Sequence, residues 1–146
     1  MRLSLLLLAC STLVRAADNP GLEIVSVTKI WDDGNLAAIG HAKPPYKSWE
    51  FAMTKESIGG PNFIVLPDGR MIGGGRHFRG GYGKDPCTAI GWLTLSGYTP
   101  ALELPSGGDN SYPGFAWYDK MLWTLYYSSH EGKTSIYLAK VRIPAP

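Results

Sequence analysis

At 146 residues, 45% hydrophobic and 18% charged, the chain has the size of one ordinary domain, and its composition excludes the collagen-like and intrinsically disordered classes. Its 18 glycines and 11 prolines are spread along the whole length, which favours short strands joined by turns and excludes a helix bundle. The formal charge of +2 includes Arg2 and Arg15; without them acidic and basic residues balance, and no Lys/Arg cluster marks a nucleic-acid binder.

Met1-Arg2, the apolar run Leu3-Ser4-Leu5-Leu6-Leu7-Leu8-Ala9 and the cleavage-like Val14-Arg15-Ala16 predict an export signal over residues 1–16, and with it a periplasmic or extracellular protein. Leu7-Leu8-Ala9-Cys10 offers an alternative end to that signal, a lipoprotein box in which Cys10 would carry a lipid anchor. No later stretch approaches the roughly 18 apolar residues of a membrane span. After cleavage only Cys87 remains, so no intrachain disulfide is expected. His41, His77 and His130 lack ligand-like neighbours at short spacing, and neither a metal nor another cofactor is expected.

The folded domain is expected over residues 22–146. Leu22-Glu23-Ile24-Val25-Ser26-Val27-Thr28-Lys29-Ile30-Trp31 reads as a strand, and Asp32-Asp33-Gly34 as a turn. A partial β unit follows from Asn35 to about Thr54. Asn62-Phe63-Ile64-Val65-Leu66 and Arg70-Met71-Ile72 flank the tight turn Pro67-Asp68-Gly69. Gly114-Phe115-Ala116-Trp117-Tyr118 and Met121-Leu122-Trp123 repeat that plan around Asp119-Lys120. Ala38-Ile39-Gly40-His41 is echoed 51 residues later by Ala89-Ile90-Gly91-Trp92, and more loosely about 46 further on by Ser135-Ile136-Tyr137-Leu138. A period of this size, with strand, turn, strand, loop and strand in each copy, predicts an all-β fold: a partial β-propeller of about two to three four-stranded antiparallel blades. A β-sandwich is the competing reading.

Two long stretches carry a family resemblance. Gly59-Gly60-Pro61-Asn62-Phe63-Ile64-Val65-Leu66-Pro67-Asp68-Gly69-Arg70 and Gly107-Gly108-Asp109-Asn110-Ser111-Tyr112-Pro113-Gly114-Phe115 resemble the closing blades of bacterial six-bladed sialidases. The tail from Tyr126 to Val141 is similar to that of secreted exo-α-sialidase-like proteins. Ser128-Ser129-His130-Glu131-Gly132-Lys133-Thr134-Ser135 resembles a degenerate aspartate-box turn, with His130 in place of the Asp and Ser135 in place of the Trp. A structural role is expected there: Gly132 at positive φ, with Ser128 and Thr134 bonding turn backbone groups.

The resemblance implies a glycosidase acting on terminal sialic acid or a related glycoside. Such an enzyme clamps the sugar carboxylate with three arginines and attacks with a tyrosine. Arg76 resembles the third of those arginines, Arg79 being the alternative, and Tyr112 resembles the nucleophile. A phenol with a pKa of about 10 needs a carboxylate to take its proton, and no position matches the family's glutamate; Glu103, the nearest, is expected to face solvent from a strand. The family's early-blade acid is not matched by Asp32 or Asp33. Its Arg-Ile-Pro motif recurs only at Arg142-Ile143-Pro144, after the last strand, where it reads as a decoy. The resemblance therefore implies a sialidase-like fragment short of its catalytic set, with a long internal segment lost between Asp32 and Asn35.

The alternative is a non-catalytic carbohydrate-binding or interaction module. Trp117, Tyr118, Trp123, Tyr126, Tyr127 and Tyr137 crowd the last unit, and sugar faces stack on such rings, although strand alternation assigns most of them to packing. The expected partner is a glycan or small carbohydrate. Open blade edges predict self-association.

Overall fold

Nine strands, all paired antiparallel, make three sheets of unequal size in the computed structural model, which describes residues 25–29, 38–56 and 58–146. The first sheet is the hairpin β1 (Ala38–His41) and β2 (Glu50–Met53). The second is the meander β3 (Gly59–Val65), β4 (Met71–Phe78), β5 (Pro86–Thr94) and β6 (Gly97–Glu103). The third is the meander β7 (Asn110–Tyr118), β8 (Met121–Ser128) and β9 (Ser135–Val141). No helix occurs among the described residues. All nine strands belong to one compact unit, residues 33–146.

The expected four strands per unit are present in the second sheet alone. The third has three among the described residues, β9 being followed by Arg142-Ile143-Pro144-Ala145-Pro146. The export signal, Cys10, the turn at Asp32-Asp33 and the junction before Asn35 lie outside the described residues. So does most of the strand expected over Leu22–Trp31; its described part, residues 25–29, forms no strand and is exposed.

The turns follow their sequence chemistry. Between β3 and β4, Leu66 N–H donates to Arg70 O at 2.8 Å and Gly69 N–H to Leu66 O at 2.9 Å, with Gly69 at φ 86°. Asp68 accepts from both the backbone N–H and Nε of Arg70, which holds its carboxyl below the usual range. Between β7 and β8, Asp119 and Lys120 both take positive φ, the two-residue turn whose twist matches a hairpin.

The repeat is visible in the backbone itself. The register of β3 on β4 slips between Gly59 and Asn62, and that of β7 on β8 slips between Ser111 and Gly114. Gly59 pairs with Arg76 just before the first slip, and Ser111 with Tyr127 just before the second. The two sheets thus carry the same bulge, each with a proline inside it, Pro61 or Pro113. Carrying this equivalence outward makes Gly74 the counterpart of Leu125 and Ile90 the counterpart of Leu138. That is two residues away from the match of Ala89–Trp92 to Ser135–Leu138 in the sequence, and a shift of two keeps every side chain on its expected face.

The core lies between the second and third sheets. Leu66, Ile72, Ile90 and Leu104 from one side meet Leu122 and Tyr126 from the other, with Phe115, Trp117 and Tyr137 packed around them. Each buried aliphatic contributes about 1.5–3 kcal/mol. Buried Tyr126 spends its hydroxyl on Pro105 O at 2.9 Å, which removes the penalty of a dry phenol. Glycines let the sheets approach: a methyl group on Gly74 would lie 2.8 Å from Ala89 O and 3.0 Å from the Phe115 ring.

Arg79 and Glu103 do structural work at the open end of the second sheet. Arg79 bonds Glu103 at 2.7 Å and Asp85 at 3.0 Å, bracing the β4–β5 loop against β6. Glu103 is partly exposed on its strand, as expected, and the Arg79 hydrogen bond lowers its pKa. Because the folded carboxyl is depressed, its stabilising contribution is present above the unfolded pKa and disappears as pH falls through the folded one. Melts recorded below about pH 4.5 should therefore flatten in Arg79→Gln relative to the parent.

The turn between β8 and β9 is held by its own side chains. Ser128 Oγ accepts from the backbone N–H of Gly107 at 3.0 Å and lies 2.9 Å from His130 Nδ1, while Gly132 sits at φ 91°. Thr134 meets the Ser129 hydroxyl at 2.7 Å rather than a backbone group.

Candidate functional site

Arg76 and Tyr112, 36 positions apart in sequence, come together across the junction of the second and third sheets, with Tyr127 between them. Arg76 leaves β4 and crosses to the loop before β7. Its Nε donates to Asn110 O at 2.6 Å, and its Nη2 to Asp109 Oδ1 at 2.7 Å and to Tyr127 Oη at 3.1 Å. Tyr127 in turn donates to Asp109 Oδ1 at 2.9 Å. Its ring stacks on Tyr112, centroids 6.1 Å apart and planes 19° from parallel.

Asn110 is the fixed point of this arrangement. It is fully buried, its Oδ1 accepts from Thr88 Oγ1 at 3.0 Å, and its Nδ2 donates to Gly108 O at 3.0 Å and Pro86 O at 3.3 Å. Two further bonds sew β3 to β7: Ser111 Oγ to Gly59 O at 2.8 Å, and Asn62 Nδ2 to Pro113 O at 3.0 Å. The segment that presents Asp109 and Tyr112, the end of the loop and the bulged start of β7, is therefore anchored to both strands that flank β4.

Tyr112 is strained. It occupies φ 48°, and its counterpart in the preceding sheet, also just before a proline, is Gly60 at φ 55°. Left-handed backbone costs a residue with a Cβ about 1–2 kcal/mol, whereas glycine takes it freely. A tyrosine in a position that its own repeat fills with glycine is held there by its surroundings, the pattern found where backbone strain serves a site. Gly60 makes the room: a methyl group there would lie 2.8 Å from both Cδ1 and Cε1 of Tyr112. The ring is thus backed by Gly60 and Tyr127 while remaining 70% exposed.

Electrostatically the cluster is a compensated pair on a partly open surface. The Arg76 side chain is 30% exposed and that of Asp109 65%. Burial first, and the Asp109 hydrogen bond second, push the Tyr127 phenol above its ordinary pKa, so it stays protonated near neutrality and can donate to Asp109. Arg76 Nη1 makes no hydrogen bond among the described residues, its bonds all running through Nε and Nη2. The Tyr112 hydroxyl likewise makes no hydrogen bond there; the carboxylate at this site reaches Tyr127 instead.

The remaining candidates lie elsewhere. Glu103 and Arg79 pair with each other away from the cluster, and Arg142-Ile143-Pro144 follows β9, with Pro144 O accepting from Arg70 at 2.9 Å. No group of three metal-ligating side chains occurs among the described residues. No helix among them is long and apolar enough to cross a membrane. Sequence reading missed Asp109 and Asn110 as site residues and placed Tyr127 only among the ring-stacking aromatics of the last unit; the signal available for the first two was Gly107-Gly108-Asp109-Asn110, a run of turn-formers directly before Tyr112. No protein-family signature, curated protein or solved structure matches the chain.

Proposed function

We propose that the chain is an exported, sialidase-like propeller fragment whose Arg76–Tyr127–Tyr112 cluster binds an acidic sugar without hydrolysing it. The observation that carries this reading is the meeting of a guanidinium whose Nη1 is unbonded among the described residues and a forward-standing aromatic ring, held in a strained backbone position, across two sheets. Arg76 takes the sugar carboxylate, and the exposed Tyr112 ring offers a face for the sugar's C–H groups. Hydrolysis by Tyr112 would need a base for its phenol and an acid for the leaving group. Asp109 is committed to Arg76 and Tyr127, and no carboxyl group among the described residues bonds Tyr112.

The test is calorimetric titration with N-acetylneuraminic acid beside a fluorogenic sialoside assay. Binding should fall at least about tenfold in Arg76→Gln, the loss of one charge-assisted contact, and should tighten in Asp109→Asn, which removes a like charge from the anion's approach. Release of fluorophore should stay at the blank. Turnover that vanishes in Tyr112→Phe would establish the glycosidase instead, and absence of binding would reject both.

A further inference from the structure

We propose that the cavity between the first and second sheets is a further binding site, separate from the Arg76–Tyr112 cluster, that takes an uncharged, apolar molecule of about two rings. The cavity measures about 380 Å³, within the range of small-molecule sites. All four residues of β1 close it on one side. Phe63, Met71, Leu93 and Tyr98, one from each strand of the second sheet, close it on the other. Phe63 and Leu95, which also lines it, are 57% and 52% exposed, so the cavity opens to solvent beside them. Its walls select against charge, because no Asp, Glu, Lys or Arg among the described residues lines it. The polar side chains that do line it are already bonded or buried. Asn62 donates to Pro113 O and accepts from Phe63 N–H, Thr54 donates to Glu56 O, and Thr94 donates to Gly97 O. His41 Nε2 faces Glu50 at 3.6 Å, while its Nδ1 and the Tyr98 hydroxyl are both buried. What the cavity offers an occupant is therefore mainly carbon. An apolar cavity of about 150 Å³ holds one benzene ring, which gives this one room for two.

Gly73 points to a ligand rather than to loose packing. It lies on the face of β4 that carries Met71 and Gly75, and it pairs with Gly91. At Gly75 a methyl group would lie 2.7 Å from the Gly59 carbonyl, and at Gly91 it would overlap the Thr99 carbonyl. The chain's own backbone requires glycine at both positions. At Gly73 a methyl group would meet nothing nearer than Leu93 Cβ at 3.6 Å, an ordinary contact, and the backbone there is not left-handed. No neighbouring segment demands glycine at this position, although glycine weakens the interior of a strand. Glycine inside a strand marks the close approach of a backbone or a ligand, and no backbone approaches Gly73. The space above it is the cavity, which Gly73 lines.

Fluorescence titration of the full chain with N-phenyl-1-naphthylamine, an uncharged probe that brightens in apolar surroundings, should saturate at one molecule per chain. Gly73→Leu fills the space over the strand and should weaken binding at least about tenfold while keeping the parent's melting temperature. Leu95→Asp places a charge at the exposed rim and should weaken binding to a similar extent, which decides the question if Gly73→Leu does not fold. Leu138→Asp alters the apolar surface of the third sheet, where Leu138 is 54% exposed, and should leave the titration unchanged. A parent that does not bind the probe overturns the proposal. So does full binding by a folded Gly73→Leu or by Leu95→Asp, or a loss in Leu138→Asp, which would place the probe on the third sheet. None of these readings depends on any sugar.

Discussion

Replacing Asn110 by alanine is expected to cost about 3 kcal/mol of stability, because each buried group left without its partner costs about 1–3 kcal/mol. Three partners are affected: the Thr88 hydroxyl and the carbonyls of Pro86 and Gly108. Water cannot replace the amide readily, since the side chain is fully buried. The carbonyl that Arg76 uses is the backbone oxygen of Asn110, so the variant keeps that acceptor and loses its anchorage. Thermal melts should report the stability loss, and the same preparation should bind acidic sugar more weakly although every ligand-facing side chain is intact. Thr88→Val removes the hydroxyl that Asn110 accepts from, and the double variant should lose less than the sum of the single losses, as expected for two residues in one bond. Additive losses would mean that Asn110 acts through packing alone.

Much of this architecture is written locally. Pro67-Asp68-Gly69 and Asp119-Lys120 specify their turns through backbone conformation, whereas β8 is apolar on both faces, and its buried side is the one that carries Leu122, Thr124, Tyr126 and Ser128. The repeat of about 50 residues survives because bulge, proline and register recur together, which constrains sequence at a few positions only. Strand number was less legible. Whether a sheet gains a fourth strand depends on what pairs with β9, a long-range choice that the pattern within β9 does not encode. The site was half legible for a related reason. Arg76 and Tyr112 stand out by residue type and setting, whereas Asp109 and Tyr127 gain significance only when two sheets pack face to face. Tyr127 lies on a strand with large apolar residues on both faces, and its distinction from Tyr126 is one of face: Tyr126 points into the core, and Tyr127 stands on the opposite side with Leu125, where Arg76 reaches its hydroxyl.

Strain at Tyr112 links the repeat to the site. If the third sheet needed only to complete the fold, glycine would serve at this bulge as it does at Gly60. Retaining a tyrosine there forgoes about 1–2 kcal/mol, partly offset by stacking on Tyr127, worth about 0.5–1.5 kcal/mol. The balance places a ring at the surface of a junction whose other components are polar and charged, and this makes the cluster suited to a ligand with one apolar face and one anionic group.

The same chemical change should act in opposite directions at two glycines of the β5–β6 hairpin. Gly91→Ala is expected to lower the melting temperature by about 10–20 °C, or to prevent folding, for a loss of about 3 kcal/mol. Gly91 is buried beside the register slip between Ile90 and Gly91, where a methyl group would overlap the Thr99 carbonyl and lie 2.8 Å from Pro100 Cα. These are backbone atoms of a paired strand, which cannot rotate away as a side-chain end can, so relief requires β6 to leave its ladder. That movement would disturb Tyr98 and Leu104, both buried in or beside β6. Gly97, six residues on, has nothing within 4 Å of its added methyl group. Gly97→Ala should therefore leave the fold intact and raise stability by about 0.4–1 kcal/mol through the reduced freedom of the unfolded chain. Paired melts of the two variants separate local space from glycine chemistry: equal effects at both positions would contradict the close approach of β5 and β6.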